Sequence, residues 1–222
     1  MPLYSDDIAN RLTARTKKAI QFCGDFRGKK ILNIGCYDGW LEKIAVKRGA
    51  QEVTGIDVNK KFVALAQKNV PQAKFLQASV LKLPFVSQRF EMVTMFDVIE
   101  HLPKGTELKA LKEVKRVLKK GGKLFLSTPK SNWLANLLDP AWYFGHRHYS
   151  VRKIKNLLKT TGFTIERLEI KGGFYELFSM IMFYAFKWLF HREIPFKDWF
   201  EKRRNEEYLN KNGFVTLFVK AS

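Results

Sequence analysis

A glycine-bounded turn followed by a carboxylate is the part of this sequence best suited to hold a ligand. The segment ILNIGCYDGW, residues 31–40, is an apolar run that ends in Gly35 and has a second glycine, Gly39, before a helix-like segment. Glycine lets the backbone bend tightly and approach a ligand without a Cβ in the way. Asp57 ends the next apolar run, where a carboxylate accepts hydrogen bonds from the two hydroxyls of a ribose. Together these residues predict a nucleoside-binding site.

The glycine spacing separates this site from the sites of nicotinamide enzymes. Those enzymes carry Gly-x-Gly-x-x-Gly, because several backbone N–H groups must approach a pyrophosphate. Gly35 and Gly39 are instead separated by Cys36, Tyr37 and Asp38, which favours a ligand without a pyrophosphate. A glycine loop alone also occurs as a plain strand–helix turn, and Asp57 is what favours the ligand interpretation.

Ionisable side chains after a later apolar run are candidates for proton transfer. The run at 90–101, FEMVTMFDVIEH, ends in Glu100 and His101, and His148 precedes a further helix-like segment. Histidine titrates near neutral pH and is therefore suited to act as a general base. We take His101, His148 and Glu100 as candidate catalytic residues. The structural alternative is that Glu100 and His101 only make contacts at the start of a helix.

Apolar runs of strand length alternate with helix-like segments along most of the chain. Strands are predicted at 30–35, 52–57, 73–78, 90–97, 123–128, 163–170 and 213–220, and helices at 5–22, 40–48, 60–69, 106–120 and 151–161. Ser5 or Asp6 is expected to cap the first helix, and Gly121 and Gly122 are expected to end the fourth. This alternation predicts a parallel sheet covered on both faces. Its ligand crevice would lie beyond the carboxyl ends of the strands.

Five segments resemble, in order, the motifs of the class I S-adenosylmethionine-dependent methyltransferases. They are ILNIGCYDGW at 31–40, GIDVN at 55–59, QASVLKLPF at 77–85, FEMVTMFDVIEHL at 90–102 and LKEVKRVLKKGGKLFLSTP at 111–129. The chain is similar in particular to methyltransferase type 11 and quinone-biosynthesis methyltransferases. The resemblance implies a Rossmann-like three-layer α/β sandwich. Its seven-stranded sheet would be mostly parallel, with the last strand antiparallel.

The resemblance also implies S-adenosylmethionine as cofactor, S-adenosylhomocysteine as product, and a set of binding residues. Carried over by position, these are Gly35, Cys36, Asp38, Gly39, Asp57, Val58, Ser79, Val80 and Phe96. In the family's pattern the glycine turn lines the methionine and ribose portion, and the carboxylate at 57 holds the ribose hydroxyls. Positions 58, 79 and 80 border the adenine, and position 96 lies at the methionine end.

Three positions depart from the family's usual residues. Asn33 stands where Asp is usual, Tyr37 replaces a common Gly, and Ser79 replaces a frequent Asp. Each polar replacement can still form hydrogen bonds, but the neutral serine loses the strength of a charge-assisted bond. These departures support an alternative in which the chain is a non-catalytic cofactor-binding module.

Methyl transfer from a sulfonium is an in-line displacement that needs little covalent help. Alignment of the two reactants, with water excluded, can supply most of the rate. A base is needed only where the acceptor loses a proton. Asp97, Glu100 and His101 are spaced so that they could share a divalent metal, as in similar quinone-pathway enzymes. Many relatives with the same Glu-His pair need no metal, so a metal site is not favoured.

An apolar segment at 174–190 precedes the last predicted strand. Its only residues that are not apolar are Glu176, Ser179 and Lys187. As one helix it would be about 25 Å long, short of the roughly 30 Å hydrocarbon core of a bilayer. It could be a lid over an apolar acceptor pocket, a lipid contact helped by Trp188 and Trp199, or a dimer contact or plain core. The first two interpretations imply a hydrophobic acceptor, such as a lipid or a prenylated ring.

Length and composition indicate one methyltransferase domain over residues 1–222, since 46% of the residues are hydrophobic. It divides into an N-terminal helix (1–29), a cofactor-binding core (30–170), a hydrophobic insert or lid (171–212) and a last strand (213–222). Cys23 and Cys36 give no disulfide framework. The polar N-terminus has no secretory signal. A cytoplasmic protein is expected, with peripheral contact at an anionic membrane as a further expectation.

The chain is strongly basic, with 40 Lys and Arg against 21 Asp and Glu and a net charge of +19. Such a field attracts nucleic acid, anionic lipid or an acidic metabolite, although scattered lysines also make an ordinary solvated surface. The leading hypothesis is methylation of a small, hydrophobic acceptor at oxygen, with nitrogen or carbon as alternatives. An RNA or protein methyltransferase is less favoured, because the sequence shows no separate RNA-binding module. The sequence does not indicate an oligomeric state.

Overall fold

A computed structural model describes residues 12–138, 142, 145–186, 191, 196–209 and 213–222. The strands are β1 (Lys30–Ile34), β2 (Glu52–Asp57), β3 (Lys74–Gln77), β4 (Phe90–Phe96), β5 (Leu118–Pro129), β6 (Ile165–Lys171) and β7 (Thr216–Ala221). The helices are α1 (Ala14–Cys23), α2 (Trp40–Lys47), α3 (Lys60–Asn69), α4 (Glu107–Val117), α5 (Trp133–Leu138), α6 (Val151–Thr160), α7 (Phe174–Ala185) and α8 (Lys197–Leu209).

The strands form one seven-stranded sheet in the order β3-β2-β1-β4-β5-β7-β6. β1 to β5 pair in parallel, whereas β7 lies antiparallel between β5 and β6. The central strands are buried along nearly their whole length, as expected for a parallel sheet covered on both faces. The predicted fold class is confirmed, including the antiparallel last strand.

Two hydrophobic clusters lie on the two faces of this sheet. In one, Leu111 of α4 and Ile154 of α6 pack against the central strands. In the other, Ile20 of α1, Ile44 of α2 and Ala66 of α3 pack against the opposite face. This is the three-layer sandwich, and it leaves the carboxyl ends of the parallel strands open for a ligand.

The first described helix begins at Ala14, inside the range 5–22 that the sequence pattern predicts as one helix. Thr13 has an extended backbone and its hydroxyl accepts a hydrogen bond from the N–H of Thr16, so it caps α1. The predicted continuous helix from position 5 is therefore wrong at residues 12–13, because the threonine side chain satisfies the free N–H groups of a new helix start. The predicted caps, Ser5 and Asp6, lie outside the described residues.

The end of α4 also differs from the prediction. The helix stops at Val117, and Leu118 already has strand geometry and pairs with Phe90. Gly121, with φ +77°, lies inside β5 where the register with β4 shifts. The glycines thus form an irregularity in the strand instead of ending the helix. Burial of Leu118 in the core explains why the chain joins the sheet so early.

The hydrophobic insert contributes two described helices, α7 and α8. The apolar segment forms α7 over 12 residues, and none of the described helices is long and apolar enough to cross a membrane. Lys187 and Trp188, on which part of the lipid-contact interpretation depended, lie outside the described residues. α7 and α8 pack against each other, and α8 also packs against α1. This packing joins the insert to the helix at the beginning of the described chain.

Candidate functional site

A cavity of about 810 Å³ opens at the carboxyl ends of the parallel strands. Its walls include Gly35 after β1, Asp57 at the end of β2, Phe96 at the end of β4 and Ser127 in β5. Arg15 of α1 also belongs to its wall. This is the place where α/β sheets bind their ligands, and it brings together motifs that are far apart in the sequence.

The turn after β1 is held against the end of β2. The N–H groups of Gly35 and Cys36 donate to the carbonyl of Ile56, at 2.8 and 3.0 Å. Gly35 has φ +81°, and a Cβ added there would lie 2.5 Å from Cγ2 of Val98. The position therefore requires glycine both for its backbone conformation and for the close approach of its neighbour.

The carboxylate of Asp57 is oriented by backbone groups on both sides. Its Oδ1 accepts a hydrogen bond from the N–H of Asn59 at 2.9 Å, and its Oδ2 accepts one from the N–H of Tyr37 at 3.3 Å. Asn59 caps α3, so the start of this helix and the glycine turn together fix the carboxylate. The acid lines the cavity and can accept further hydrogen bonds from a ligand.

Six of the nine predicted cofactor-binding residues line the cavity. They are Gly35, Asp57, Val58, Ser79, Val80 and Phe96.

The other three lie behind its wall. Cys36 is fully buried in the core. The Asp38 carboxylate accepts a hydrogen bond from the N–H of Trp40, at the start of α2. Gly39 lies against Val70 and Ala66, where an added Cβ would be 3.0 Å from Cγ2 of Val70. These three residues contact other parts of the protein and do not line the described cavity wall. Their role in cofactor binding stays a prediction.

His101 is the predicted catalytic residue that lines the cavity. It ends a short 3-10 helix, Ile99–His101, and its Nε2 lies 3.1 Å from Nε2 of His146. Burial lowers the pKa of His101; Arg147 lowers it further, and Asp97 acts in the opposite direction. The imidazole is therefore neutral at neutral pH, which is the form that accepts a proton.

Arg147 holds the turn that carries this histidine. Its guanidinium donates to the carbonyls of Ile99 and Glu100, at 3.0 and 3.2 Å, and to the carboxylate of Glu107. These hydrogen bonds of Arg147 thus fix the position of His101 relative to the cavity.

Glu100 and His148, the other predicted catalytic residues, do not contribute to the described wall of the cavity. Glu100 is buried and accepts a hydrogen bond from the hydroxyl of Thr128 at 3.1 Å. Burial, helped by Asp97, raises the pKa of Glu100 well above its usual range. Nδ1 of His148 lies 2.8 Å from Oδ1 of Asn136. These contacts suit supporting roles, and direct catalysis by either residue stays a prediction.

Of the three metal ligands considered from the sequence, the structure brings together two, Glu100 and His101. Glu100, His101 and His146 place one potential ligand atom each within 4.8 Å of one another. Asp97, the third member of the set expected from sequence, instead accepts hydrogen bonds from Arg15 at 3.2 Å and from Ser127 at 2.8 Å. The second histidine comes from a distant segment, which local spacing could not reveal.

Arg15 is a cavity residue that the sequence did not indicate. Its guanidinium contacts Asp97, Oε1 of Glu176 at 2.9 Å and the hydroxyl of Tyr208 at 3.2 Å. Burial raises the pKa of Glu176, but Arg15 and Arg204 lower it by more, so it stays ionised. A lone acid in an apolar segment has to be paired, and this signal could have identified Glu176. Nothing local distinguishes Arg15.

The comparisons with known proteins agree with this geometry. Residues 32–126 match the sequence family described as a methyltransferase domain. A ubiquinone biosynthesis O-methyltransferase from Coxiella burnetii is 31% identical over 115 residues, which cover 50% of this chain and 48% of that protein. A protein of the same name from Idiomarina loihiensis is 28% identical over 160 residues, 65% of each chain.

The solved structures show the same fold. An S-adenosylmethionine-dependent methyltransferase from Mesorhizobium loti matches with a TM-score of 0.67 and 19% identity, covering 94% of this chain and 97% of that one. The chain thus shares the fold of these enzymes, and residues 32–126 match a methyltransferase domain. The match spans about half the length of the Coxiella protein, so both the activity and the acceptor of this chain are left to be proposed.

The cavity fits S-adenosylmethionine, the cofactor expected from the sequence. Asp57 offers a fixed carboxylate for the ribose hydroxyls, and Gly35 of the turn after β1 lies in the wall of the same cavity. Val80, Leu81 and Phe62 supply an apolar wall for an adenine. This arrangement is consistent with the predicted cofactor site at the six predicted residues that line the cavity.

Proposed function

We propose that this protein is a methyltransferase that transfers the methyl group of S-adenosylmethionine to an oxygen of a small, hydrophobic acceptor. The proposal depends chiefly on the orientation of Asp57, whose carboxylate is fixed by two backbone N–H groups and lines the same cavity as His101. A carboxylate suited to ribose and a neutral base on the walls of one cavity support this proposal. Nitrogen and carbon acceptors are the alternatives within the same chemistry.

Two charged groups suit the amino-acid part of the cofactor. Arg15 and Asp97 both line the cavity and form an ion pair. A guanidinium binds a carboxylate, and a carboxylate binds an ammonium, so the pair matches both charges of a methionine. When bound, S-adenosylmethionine supplies a methyl group activated by a sulfonium. The protein's contribution is then mainly to hold the two reactants in line and to exclude water.

The acceptor side of the proposal depends on His101 and its apolar neighbours. Leu102, Pro103 and Phe96 line the same cavity as the histidine, which suits an apolar ring or tail. The neutral imidazole would take the proton of an acceptor hydroxyl, and this favours oxygen as the methylated atom. The names of the curated relatives, ubiquinone biosynthesis O-methyltransferases, support an oxygen on a quinone-type ring with an apolar substituent.

Calorimetry with S-adenosylhomocysteine tests the cofactor part of the proposal. We expect the unaltered chain to bind, and Asp57→Ala to raise Kd by at least about tenfold, because hydrogen bonds to a charged group contribute roughly 1.5–3 kcal/mol. Asp25→Ala is the matched control, since Asp25 lies at the other end of the sheet. Absence of binding by the unaltered chain, or equal binding by Asp57→Ala, would contradict the proposal.

A metal contribution is tested on the same protein. Glu100, His101 and His146 could hold a divalent ion, but the base described above works without one. We therefore expect methyl transfer to a catechol probe to be unchanged by a strong chelator. Loss of turnover that returns with added divalent metal would assign the ion an essential role.

The insert is proposed to cover the acceptor side of the cavity. We also propose that the protein is cytoplasmic and that the insert contacts the surface of a membrane. Glu176 of α7 is joined to Arg15 in the cavity wall, which supports the lid interpretation. Six of the large apolar side chains exposed in the described chain lie in the insert. Among them are Phe174 and Phe183 of α7 and Trp199 of α8. Exposed aromatic residues next to basic ones are typical of helices that lie at a lipid interface.

A further inference from the structure

Tyr37 adopts a backbone conformation that tyrosine rarely adopts. Its φ is +48°, in the left-handed region, and it lies between Gly35 and Gly39, which have φ +81° and +83°. Glycine adopts this region freely, whereas a side chain with a Cβ is strained there. The chain thus keeps a large aromatic residue at a position where glycine would fit better. Strain of this kind often marks a residue that acts on a ligand.

The side chain of Tyr37 is only partly engaged with the rest of the protein. It is 53% exposed and lines the cavity. Its ring meets the ring of Phe62, with centroids 4.8 Å apart and planes at 69°. Half of the ring is left to water, so packing within the protein does not account for the strained backbone.

The two rings flank the carboxylate of Asp57. The N–H of Tyr37 donates to its Oδ2, and α3, which carries Phe62 in its first turn, begins at the Asn59 whose N–H donates to its Oδ1. Tyr37 and Phe62 both belong to the cavity wall. A nucleoside bound through Asp57 would therefore lie next to the aromatic pair.

We propose that Tyr37 and Phe62 form an aromatic clamp on the nucleoside part of the cofactor, with Tyr37 as a residue that sets the affinity. Closing the ring over the ligand would bury its exposed half, which offsets the backbone strain only in the bound state. This inference rests on the proposed function, and it assigns a use to a residue that departs from the family's glycine pattern.

Two measurements on Tyr37→Gly test the clamp. Calorimetry should show Kd for S-adenosylhomocysteine raised about three- to tenfold, the range expected for loss of an aromatic contact. Thermal denaturation without ligand should give a Tm equal to or above that of the unaltered protein, because relief of strain offsets the lost ring contact. Kd within twofold of the unaltered value, or a Tm that falls together with the affinity, would overturn the proposal.

Two further experiments identify which part of the Tyr37 side chain and which part of the ligand are in contact. Tyr37→Phe should keep the affinity within twofold; a loss as large as that of Tyr37→Gly would assign the effect to the hydroxyl and reject the clamp. Methylthioadenosine, which has the nucleoside but no amino-acid portion, should lose affinity for Tyr37→Gly by the same factor. An unchanged Kd for this ligand would reject contact with the nucleoside.

The failure of this inference is distinguishable from the failure of the proposed function. If the unaltered protein binds no S-adenosylhomocysteine, both fail. If it binds tightly and Tyr37→Gly binds equally well, only the clamp is rejected.

Discussion

Arg15 joins three parts of the molecule at one end of the cavity, through contacts with Asp97, Glu176 and Tyr208. If it holds the carboxylate of the cofactor's amino-acid part, its loss should be felt only by ligands that carry this group. We predict that Arg15→Met raises Kd for S-adenosylhomocysteine about tenfold or more, as expected for hydrogen bonds between charged groups. The Kd for methylthioadenosine should stay within twofold.

The control for this experiment is Lys18→Met. Lys18 lies on the same helix and forms an ion pair with Glu169 at 2.7 Å, so its replacement removes a charge without altering the cavity wall. An equal loss of affinity for both ligands in Arg15→Met would instead indicate that the cavity as a whole has been distorted.

Asn33, another departure from the family's pattern, lies against a buried acid. Its side-chain amide donates to Oε1 of Glu42 at 3.0 Å and its Oδ1 accepts from Thr94 at 2.8 Å. An aspartate here would bring a second carboxylate against Glu42, and a neutral amide avoids that repulsion. Burial raises the pKa of Glu42 to about 8, against 4.5 for the free side chain.

The raised pKa of Glu42 predicts how stability depends on pH. Below pH 4.5 the residue is protonated in both states. Between 4.5 and about 8 only the unfolded state is ionised, so the free energy of unfolding falls with rising pH, by at most about 1.4 kcal/mol per unit. Glu42→Gln should remove this fall, which urea denaturation at pH 5 and pH 8 would measure. Parallel profiles for Glu42→Gln and an exposed control, Glu206→Gln, would show that Glu42 ionises normally.

At the scale of elements, one side chain fixes the start of α7, the helix whose Glu176 contacts Arg15. The carboxylate of Glu207, on α8, accepts hydrogen bonds from the N–H groups of Gly173, Tyr175 and Glu176, at 3.0, 2.7 and 2.9 Å. These are free N–H groups at the beginning of α7, where a negative charge is favourable. The same contact holds Glu176 in position for Arg15.

We predict that Glu207→Gln weakens this capping and loosens α7. A loss of about 1 kcal/mol corresponds to a Tm lower by roughly 2–4 °C in a protein of this size. Limited proteolysis should then cleave within residues 174–186 more readily than in the unaltered chain. Glu206→Gln, one residue earlier and bonded to Arg203 on the same helix, is the matched control. Equal Tm and equal cleavage in both variants would show that α7 does not depend on this cap.

The elements that could be predicted from sequence are those whose signals are local. β2 and α3 match the predicted ranges, because each combines a clear apolar pattern with a distinct boundary, Asp57 and the Asn59 cap. Gly35 and Asp57 could be assigned for the same reason. The start of α1 and the end of α4 could not, since the Thr13 cap competes with a continuing helix and Leu118 is drawn into the sheet by burial.

The remaining parts of the site depend on contacts that no local pattern encodes. Arg15 and Glu176 meet although 161 positions separate them, and His146 reaches His101 across 45. Such pairs are set by the order of strands in the sheet and by where the insert packs. Only the completed fold brings them together.

At the scale of the whole molecule, the charge of +19 is not gathered into one free basic groove among the described residues. A cavity of about 830 Å³ at the amino ends of the strands is lined by several lysines. Of these, Lys119 is paired with Glu91, and Lys123 and Lys220 with Glu166. These two lysines lower the pKa of Glu166 to about 2. We therefore expect the basic character to act as a summed field toward an anionic surface, with no dedicated nucleic-acid site.

This field and the exposed aromatic residues of the insert together predict reversible binding to anionic vesicles. Phe174 and Phe196 are 66% and 80% exposed, so replacing both with serine should remove apolar contact area with little effect on the fold. We expect the unaltered chain to float with vesicles of phosphatidylcholine and phosphatidylglycerol, and less so at high salt, since charge attraction is screened. The double variant, Phe174→Ser with Phe196→Ser, should stay several-fold more in the aqueous fraction. Val86→Ser, which removes an equally exposed residue outside the insert, should float like the unaltered chain; equal flotation of all three proteins would exclude docking through the insert.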